Sequence, residues 1–314
     1  MPQGSILGPD LFNIFLNDLF FFILLDLINY ADDNSPFCSD DNIPSVLTNL
    51  KNEAEIICRW ILDNELKANT DKFKLLLSDD NMMHCIHIDN QIIPNSKSQK
   101  LLGMKIVTQL DFDIHVSKIC STVASKLHAL SRISHYMSLS QRKFILNAFI
   151  ISQFSYCPLV WMFHNRTLNN RINHLHERAL RIAYQDSSSS FEDLLSKDDT
   201  FTIHHRNIQR LAILMYKVYY GISNKLMELV FPINNLKKHP RSRDFITRKV
   251  TTELHGKQTL GFLGPKIWAL IPNEFKSFSL SKFKAKVSKW KPDECPCRLC
   301  EIYIKGLGFV KVSF

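Results

Sequence analysis

The chain has no apolar run long enough to span a bilayer. No window reaches 18 apolar residues without charge, and the richest, Leu11 to Ile28, is interrupted by Asn13, Asn17, Asp18 and Asp26. That makes it a core segment and excludes a membrane span. The N-terminal residues are not expected to act as a signal peptide. No Lys or Arg precedes the first apolar run, which carries Pro2, Gly4, Gly8 and Pro9. The eight cysteines form no disulfide framework, and five stand singly in helix-like or strand-like stretches. They read as reduced thiols packed as small hydrophobes, as in an intracellular chain of the cytoplasm or nucleus.

Positive charge is scarce in the first third. Residues 1–100 hold 7 Lys+Arg against 15 Asp+Glu, whereas residues 101–314 hold 32 against 15. A basic two-thirds joined to an acidic third implies a polyanionic partner held by the basic part. The acidic part then needs cations wherever it meets phosphate. With 314 residues and 45% hydrophobic content, the chain can bury the cores of two or more domains.

The acidic third centres on Asn29-Tyr30-Ala31-Asp32-Asp33-Asn34, a turn between the apolar runs Phe20 to Ile28 and Ser35 to Cys38. Adjacent carboxylates repel each other and are best tolerated where a divalent cation binds. Hard oxygen ligands of this kind suit Mg²⁺. The spacing predicts a helix over Asp10 to Leu19, then a hairpin of Phe21–Tyr30 with Ser35–Cys38. A helix over 43–66 should carry an apolar face of Val46, Leu50, Ala54, Ile57, Ile61 and Leu62, capped by Asn42 or Ser45. Strands are expected at Phe73–Leu77, His84–Ile88, Gln91–Ile93 and Gln99–Ile106, with Asp89-Asn90 as a turn.

After Asp111 the pattern turns helical. Val116, Ile119, Val123, Leu127, Leu130 and Ile133 form one stripe, with Lys118, Lys126 and Arg132 off it. Ser138 and Gln141 have the form of a capping box opening a helix to about Tyr156. Leu168, Ile172, Leu175, Ala179 and Ile182 make a third stripe, the serines 187–190 a linker, and 200–222 a further helix. Residues 236–249, with Lys237, Lys238, His239, Arg241, Arg243, Arg248 and Lys249, read as an exposed basic loop.

Tyr30-Ala31-Asp32-Asp33, preceded by Pro2-Gln3-Gly4-Ser5-Ile6-Leu7-Gly8-Pro9, resembles the reverse transcriptase of non-LTR retrotransposons of the invertebrate, jockey-like type. The resemblance runs over residues 2–290 and is most specific at 2–9 and 29–33. It implies an α+β chain. Residues 1–108 would be a partial palm, an antiparallel sheet with helices, and 109–186 an all-α thumb. Residues 191–290 would be a helical C-terminal extension and 291–314 a Cys-containing tail. It implies RNA-directed DNA polymerase chemistry on an RNA template, a DNA primer and a dNTP, with Mg²⁺, or Mn²⁺ in its place.

Carried over by matching position, Asp32 and Asp33 are metal ligands and catalytic. Gln3, Gly4 and Tyr30 lie near nucleotide and template. Lys72 stands near the leaving pyrophosphate as a general acid, Leu102-Gly103 is a primer grip, and Lys118, Lys126 and Arg132 hold backbone phosphates. Residues 259–290, from Thr259-Leu260-Gly261-Phe262-Leu263-Gly264-Pro265 to Lys284, match a tail pattern of the family with no assigned chemistry.

The family's two ions, about 3.5–4 Å apart, need a third Asp from a strand before the Pro-Gln-Gly loop. Only Met1 precedes that loop, and Asp26, six residues before Asp32, would lie about 20 Å away on an extended strand. The chain is therefore expected to be a truncated element, inactive alone. The alternative is a non-catalytic remnant that binds nucleic acid through its basic part. Cys295, Cys297 and Cys300 have C-x-C-x₂-C spacing, and no fourth Cys or His follows before Phe314. Zn²⁺ is not expected there, since a structural site wants four ligands. Three thiols near a fraying end are expected instead.

Overall fold

The computed structural model describes residues 4–31, 33–78, 83–88, 91–233, 245–252, 256–304 and 308–311. The chain divides into two compact units, Met1–Leu110 and Asp111–Phe314. Helices predominate, and the strands pair as four two-stranded antiparallel ladders among the described residues.

Unit 1 opens with α1 (Gly8–Leu16), whose first turn accepts Pro9 because the N–H groups there have no helical partner. A single helical turn, α2 (Leu19–Phe22), follows. The expected long strand Phe21–Tyr30 is therefore shorter: β1 is Asp26–Tyr30 and pairs with β2 (Asp33–Phe37). The hub of the unit is α3 (Ile43–Asp63). One side of it, at Ile57 and Trp60, packs on Leu16 and Leu19. Another, at Cys58, packs on Leu75, Leu77, Ile86, Ile88 and Ile93. Leu62, expected on the apolar face, is 63% exposed. The cap also differs: Asn42 makes no side-chain cap, and Asp40 accepts from the Ser45 hydroxyl (2.8 Å) and the Asn42 N–H (3.2 Å).

The strand expected at Phe73–Leu77 is a single bridge, Leu75 to Asn95, and the Asn95 side chain accepts from Leu77 N–H. β3 (Cys85–Ile88) and β4 (Gln91–Pro94) form the next hairpin. The strand expected over Gln99–Ile106 is two, β5 (Ser98–Leu101) and β6 (Met104–Val107), because Leu102 (φ 45°) and Gly103 (φ 86°) turn the chain in left-handed conformations. A two-residue hairpin loop demands that backbone.

Unit 2 begins with α4 (Asp113–Ile133) packed on α7 (Arg166–Tyr184). The α4 stripe buries Val116, Cys120, Val123, Leu127 and Leu130, while Ile133 is 46% exposed. Between them lie α5 (Leu139–Ile145), opened by the Ser138–Gln141 capping box, and α6 (Pro158–Trp161). The helix expected to about Tyr156 loses α-geometry after Ile145. A π segment over Leu146–Ile150 and a 3₁₀ segment over Ile151–Ser155 bury Leu146, Ile150, Ile151 and Phe154.

The serine tract is not a free linker. Asp186 accepts from the N–H groups of Ser188 and Ser189 and from both hydroxyls, and Ser190 caps α8 (Phe191–Lys197). The centre of unit 2 is α9 (Ile203–Tyr219), with Ile208, Leu211, Ala212 and Met215 fully buried. α10 (Leu226–Val230), α11 (Leu260–Leu270), α12 (Asn273–Lys276) and α13 (Leu280–Val287) complete the order. The last ladder joins β7 (Glu301–Ile304) to β8 (Gly308–Lys311). Phe231, Leu263, Ile267, Trp268, Phe283 and Val287 close the core around α9. Among the described residues no helix is long and apolar enough to cross a membrane.

Candidate catalytic hairpin

The β1–β2 hairpin carries the Asp-Asp turn. Its last pair is Tyr30 with Asp33, leaving two residues, Ala31 and Asp32, in the loop. Ala31 has φ 53°, the left-handed conformation of the first position in such a loop. Asn29 ties the turn from within: its amide donates to the Ala31 carbonyl (3.0 Å) and to Asn34 Oδ1 on the opposite strand (2.8 Å). Both stems are fastened to α3. The Leu24 N–H, two residues before β1, donates to Glu53 Oε1 at 2.8 Å, and the Cys38 thiol reaches the Val46 carbonyl at 3.9 Å. Glu53 is only 2% exposed, so this carboxylate acts as a buried anchor for a loop N–H.

At the open end Tyr30 is 65% exposed and Asp33 is exposed. Asp33 makes no side-chain hydrogen bond or ion pair among the described residues, leaving its carboxylate free to meet a cation. Asp32 lies outside the described residues, as does Gln3. Gly4 is exposed with φ 87°. Asp26 pairs with Phe37 at the far end of the hairpin. At about 3.4 Å per residue it is about 14 Å from Tyr30.

The other expected site residues stand on separate elements. Lys72 is the exposed last residue of a 3₁₀ turn, Thr70–Lys72, and makes no side-chain bond to Asp33. A cleft of about 340 Å³ opens beside this turn, lined by Thr70, Asp71, Phe73, Lys74 and Ile93 among others. Leu102 and Gly103 form the β5–β6 turn, and Leu102 takes a backbone conformation that bulky residues adopt rarely. In unit 2, Lys118 and Arg132 are exposed on α4, while Lys126 reaches the Phe149 carbonyl at 3.4 Å. At about 100° per residue the three fall within an arc of about 120°. Of the basic loop 236–249, residues 236–244 lie outside the described residues.

Cys295, Cys297 and Cys300 are not fraying. All three are buried in the core around α9, and their sulfurs meet at Nε2 of His204. Burial disfavours an imidazolium there, but negative charge on Cys297 and the hydrogen bonds of Cys297 and Cys300 outweigh it and hold His204 up at about 10. Hydrogen bonds from Cys297 and Cys300 push the Cys295 thiol far up, and the same group of bonds pulls Cys297 far down. His204 was missed in the sequence because 91 residues separate it from Cys295. Asn29 was missed too, although an Asn flanking a turn is a recognisable signal.

Residues 1–106 match the family model described as reverse transcriptase (RNA-dependent DNA polymerase). The chain is 21% identical over 141 residues to the RNA-directed DNA polymerase from mobile element jockey of Drosophila melanogaster. That alignment takes in 42% of this chain and 15% of the relative, so the chain spans a small part of that protein's length. No solved structure matches the chain significantly. The Pro-Gln-Gly block and the Asp-Asp hairpin fall inside the matched residues 1–106, and the chain is similar there to reverse transcriptases and, over 141 residues, to the jockey polymerase.

Proposed function

We propose that this chain serves RNA-directed DNA synthesis. Residues 1–106 act as the second half of a polymerase palm, and the helices from α4 onward act as a thumb-like holder of the template–primer duplex. The observation that supports this reading is the β1–β2 ladder that ends at Tyr30 and Asp33, leaving Asp33 at the open end of a hairpin whose stem is tied to α3. An exposed, unpaired carboxylate is a hard oxygen donor of the kind Mg²⁺ prefers. Asp32 and Asp33 would hold the ion, which supplies charge neutralisation at the transferred phosphate. Tyr30, across the ladder from Asp33, would pack against the primer end or the nucleotide sugar. Gln3 and Gly4 would contact nucleotide and template base. Lys72 offers a cation and a transferable proton for leaving pyrophosphate, and the Leu102-Gly103 turn approaches the primer.

Two-metal transfer needs a third carboxylate, and the hairpin does not supply it, since Asp26 sits at its other end. These 314 residues alone are therefore inactive in primer extension. They still bind duplex through Lys118, Lys126 and Arg132, which project within one arc of α4. The test measures both properties of the purified chain. Extension of a DNA primer on an RNA template with Mg²⁺ should be absent, and its presence would overturn the claim of inactivity. Binding to an RNA–DNA duplex should weaken with salt. Replacing Lys118, Lys126 and Arg132 by Gln should flatten the log–log salt slope by about 2–3, close to one unit per phosphate contact. Asp32→Asn should leave that slope unchanged. Salt-independent binding would remove nucleic acid from the reading altogether.

A further inference from the structure

The thiol–imidazole group in unit 2 has the dimensions of a coordination shell. Nε2 of His204 lies 3.8 Å from the sulfur of Cys295, 3.3 Å from that of Cys297 and 3.5 Å from that of Cys300. The Cys297 and Cys300 sulfurs are 3.5 Å apart, and all four donor atoms lie within 4.8 Å of one another. A tetrahedral zinc ion with Zn–S of about 2.3 Å and Zn–N of about 2.0–2.1 Å has S···S edges of about 3.8 Å and N···S edges of about 3.6 Å. The observed separations bracket these values. Hydrogen bonding alone has no use for such an arrangement. Nε2 carries one lone pair or one proton, yet three sulfurs converge on it. A cation at their centre engages all four.

The backbone builds the site on purpose-made geometry. The Cys297 carbonyl accepts the Cys300 N–H at 3.2 Å, and Arg298–Cys300 is a 3₁₀ turn, so the C-x₂-C segment curls both sulfurs inward. His204 lies in the first turn of α9, after the Thr202 cap. Helix N-termini favour negative charge, and three thiolates around a dication leave one net negative charge. The chain is delivered to the site without help from the cysteines. Gln209, one helical turn beyond His205, donates to the carbonyls of Ser288 (3.2 Å) and Trp290 (2.8 Å). Phe283 and Val287 of α13 are fully buried against the same core. A crevice of about 50 Å³, lined by Asn169, Asn173, Thr202 and His205 together with His204 and Cys300, opens onto the cluster as an entry path.

We propose that His204, Cys295, Cys297 and Cys300 bind one Zn²⁺ as a closed structural site. Thiolate and imidazole ligands in a tetrahedron select zinc over the hard cations of a polymerase centre. Four protein ligands, each no more than 8% exposed, leave no open position for a substrate. The ion clasps residues 295–300 to the start of α9 and closes the loop that carries α11, α12 and α13. Because the ligands meet only in the native fold, metal binding stabilises unit 2.

The experiment uses the full chain, purified under reducing conditions from zinc-replete cells. Elemental analysis should find one zinc per chain. Replacement by Co²⁺ should give the thiolate-to-cobalt charge-transfer band and the intense visible bands of a tetrahedral ion. Loss of an outer-shell partner alone costs about 10–100-fold in metal affinity, so His204→Ala, which removes a ligand, should lower it by about 100-fold or more. His204→Cys, which restores four ligands, should keep one equivalent and the tetrahedral spectrum. If His204→Ala does not fold, a chelator added to the wild-type chain should still lower the melting temperature of unit 2, and zinc should restore it. Substoichiometric zinc with no cobalt bands would overturn the proposal. So would wild-type affinity in His204→Ala, or a Cys297–Cys300 disulfide in the purified metal-free chain.

Discussion

Replacement of Gly264 by alanine tests whether the tail motif Leu260-Gly261-Phe262-Leu263-Gly264-Pro265 is packing chemistry. A Cβ at Gly264 would stand 2.5 Å from Cε1 of Phe231 and 2.7 Å from the sulfur of Met215. Carbon atoms in good contact are about 3.5–4.0 Å apart, so something must move by about 1 Å. Neither neighbour has room, because Phe231 and Met215 are both fully buried. Two terms oppose each other. Alanine gains about 1 kcal/mol over glycine inside a helix, and overpacking a full core costs about 1–3 kcal/mol. Contact with a closed-in ring puts the cost at the upper end, so the net loss is about 1–2 kcal/mol. For a unit of this size that lowers the melting temperature by about 2–8 °C. Gly8→Ala is the control, since its Cβ would meet only Ser5 Cβ at 3.7 Å, an ordinary contact. Urea unfolding followed by tryptophan fluorescence suits the measurement, because Trp268 lies on the same helix as Gly264. Adding Phe231→Leu to Gly264→Ala should recover part of the loss, a coupling that distant sites do not show. A Gly264→Ala chain as stable as wild type would refute the close-approach account of this motif.

Three further perturbations have signed outcomes. His176 is 1% exposed, its Nδ1 has no hydrogen-bond partner among the described residues, and burial holds it down to about 4. An unfolded imidazole titrates near 6.5, so its contribution is complete above that pH. As pH falls from about 6.5 to about 4, stability drops by about 1.4 kcal/mol per unit, and His176→Phe should remove that slope from the melting curve of unit 2. Arg142 is buried and donates to the carbonyls of Ala183 (2.6 Å), Ser134 (3.3 Å) and Met137. Arg142→Met should cost about 2–4 kcal/mol by leaving three acceptors unserved, and Arg142→Lys should restore only part, because a point charge cannot replace the planar fork. Asn29→Ala removes the clamp on the Ala31 carbonyl and should cost about 1 kcal/mol locally. Hydrogen exchange of the β1–β2 amides should accelerate with no change in overall melting, and unchanged exchange would count against the clamp.

The helices were legible where one face repeats at 3.6 residues. The runs expected over 43–66 and 200–222 form as α3 and α9, and the capping box at Ser138 and Gln141 makes both of its bonds. Those signals are local, and the structure adds little to them. Short apolar runs were misread because four or five such residues carry no period. Phe73–Leu77 looked like a strand yet keeps one bridge, since Asn95 offers the facing chain a single backbone pair and a side-chain acceptor. Leu101-Leu102-Gly103-Met104 held a readable clue: a glycine between alternating residues marks a hairpin turn as readily as a close approach within one strand. The serines after Asp186 were read as composition, although Asp followed by Ser at two and three residues is a side-chain-capped turn.

The two candidate centres differ in legibility for one physical reason. In the hairpin the proposed metal ligands are adjacent in the sequence. Asp32 and Asp33 can therefore be found by reading along the chain. The thiol–imidazole group has one local half, the C-x-C-x₂-C turn, and one remote half. Twelve histidines are available in this sequence, and no spacing rule selects His204 among them. The selection is made by packing. Phe283 and Val287 bury α13 against α9, Gln209 fixes the carbonyls of Ser288 and Trp290, and the chain then has five residues in which to bring Cys295 to the first turn of α9. The fourth ligand is thus a consequence of the core of unit 2, and substitutions that loosen α9 from α13 should weaken the cluster without touching any of its four side chains.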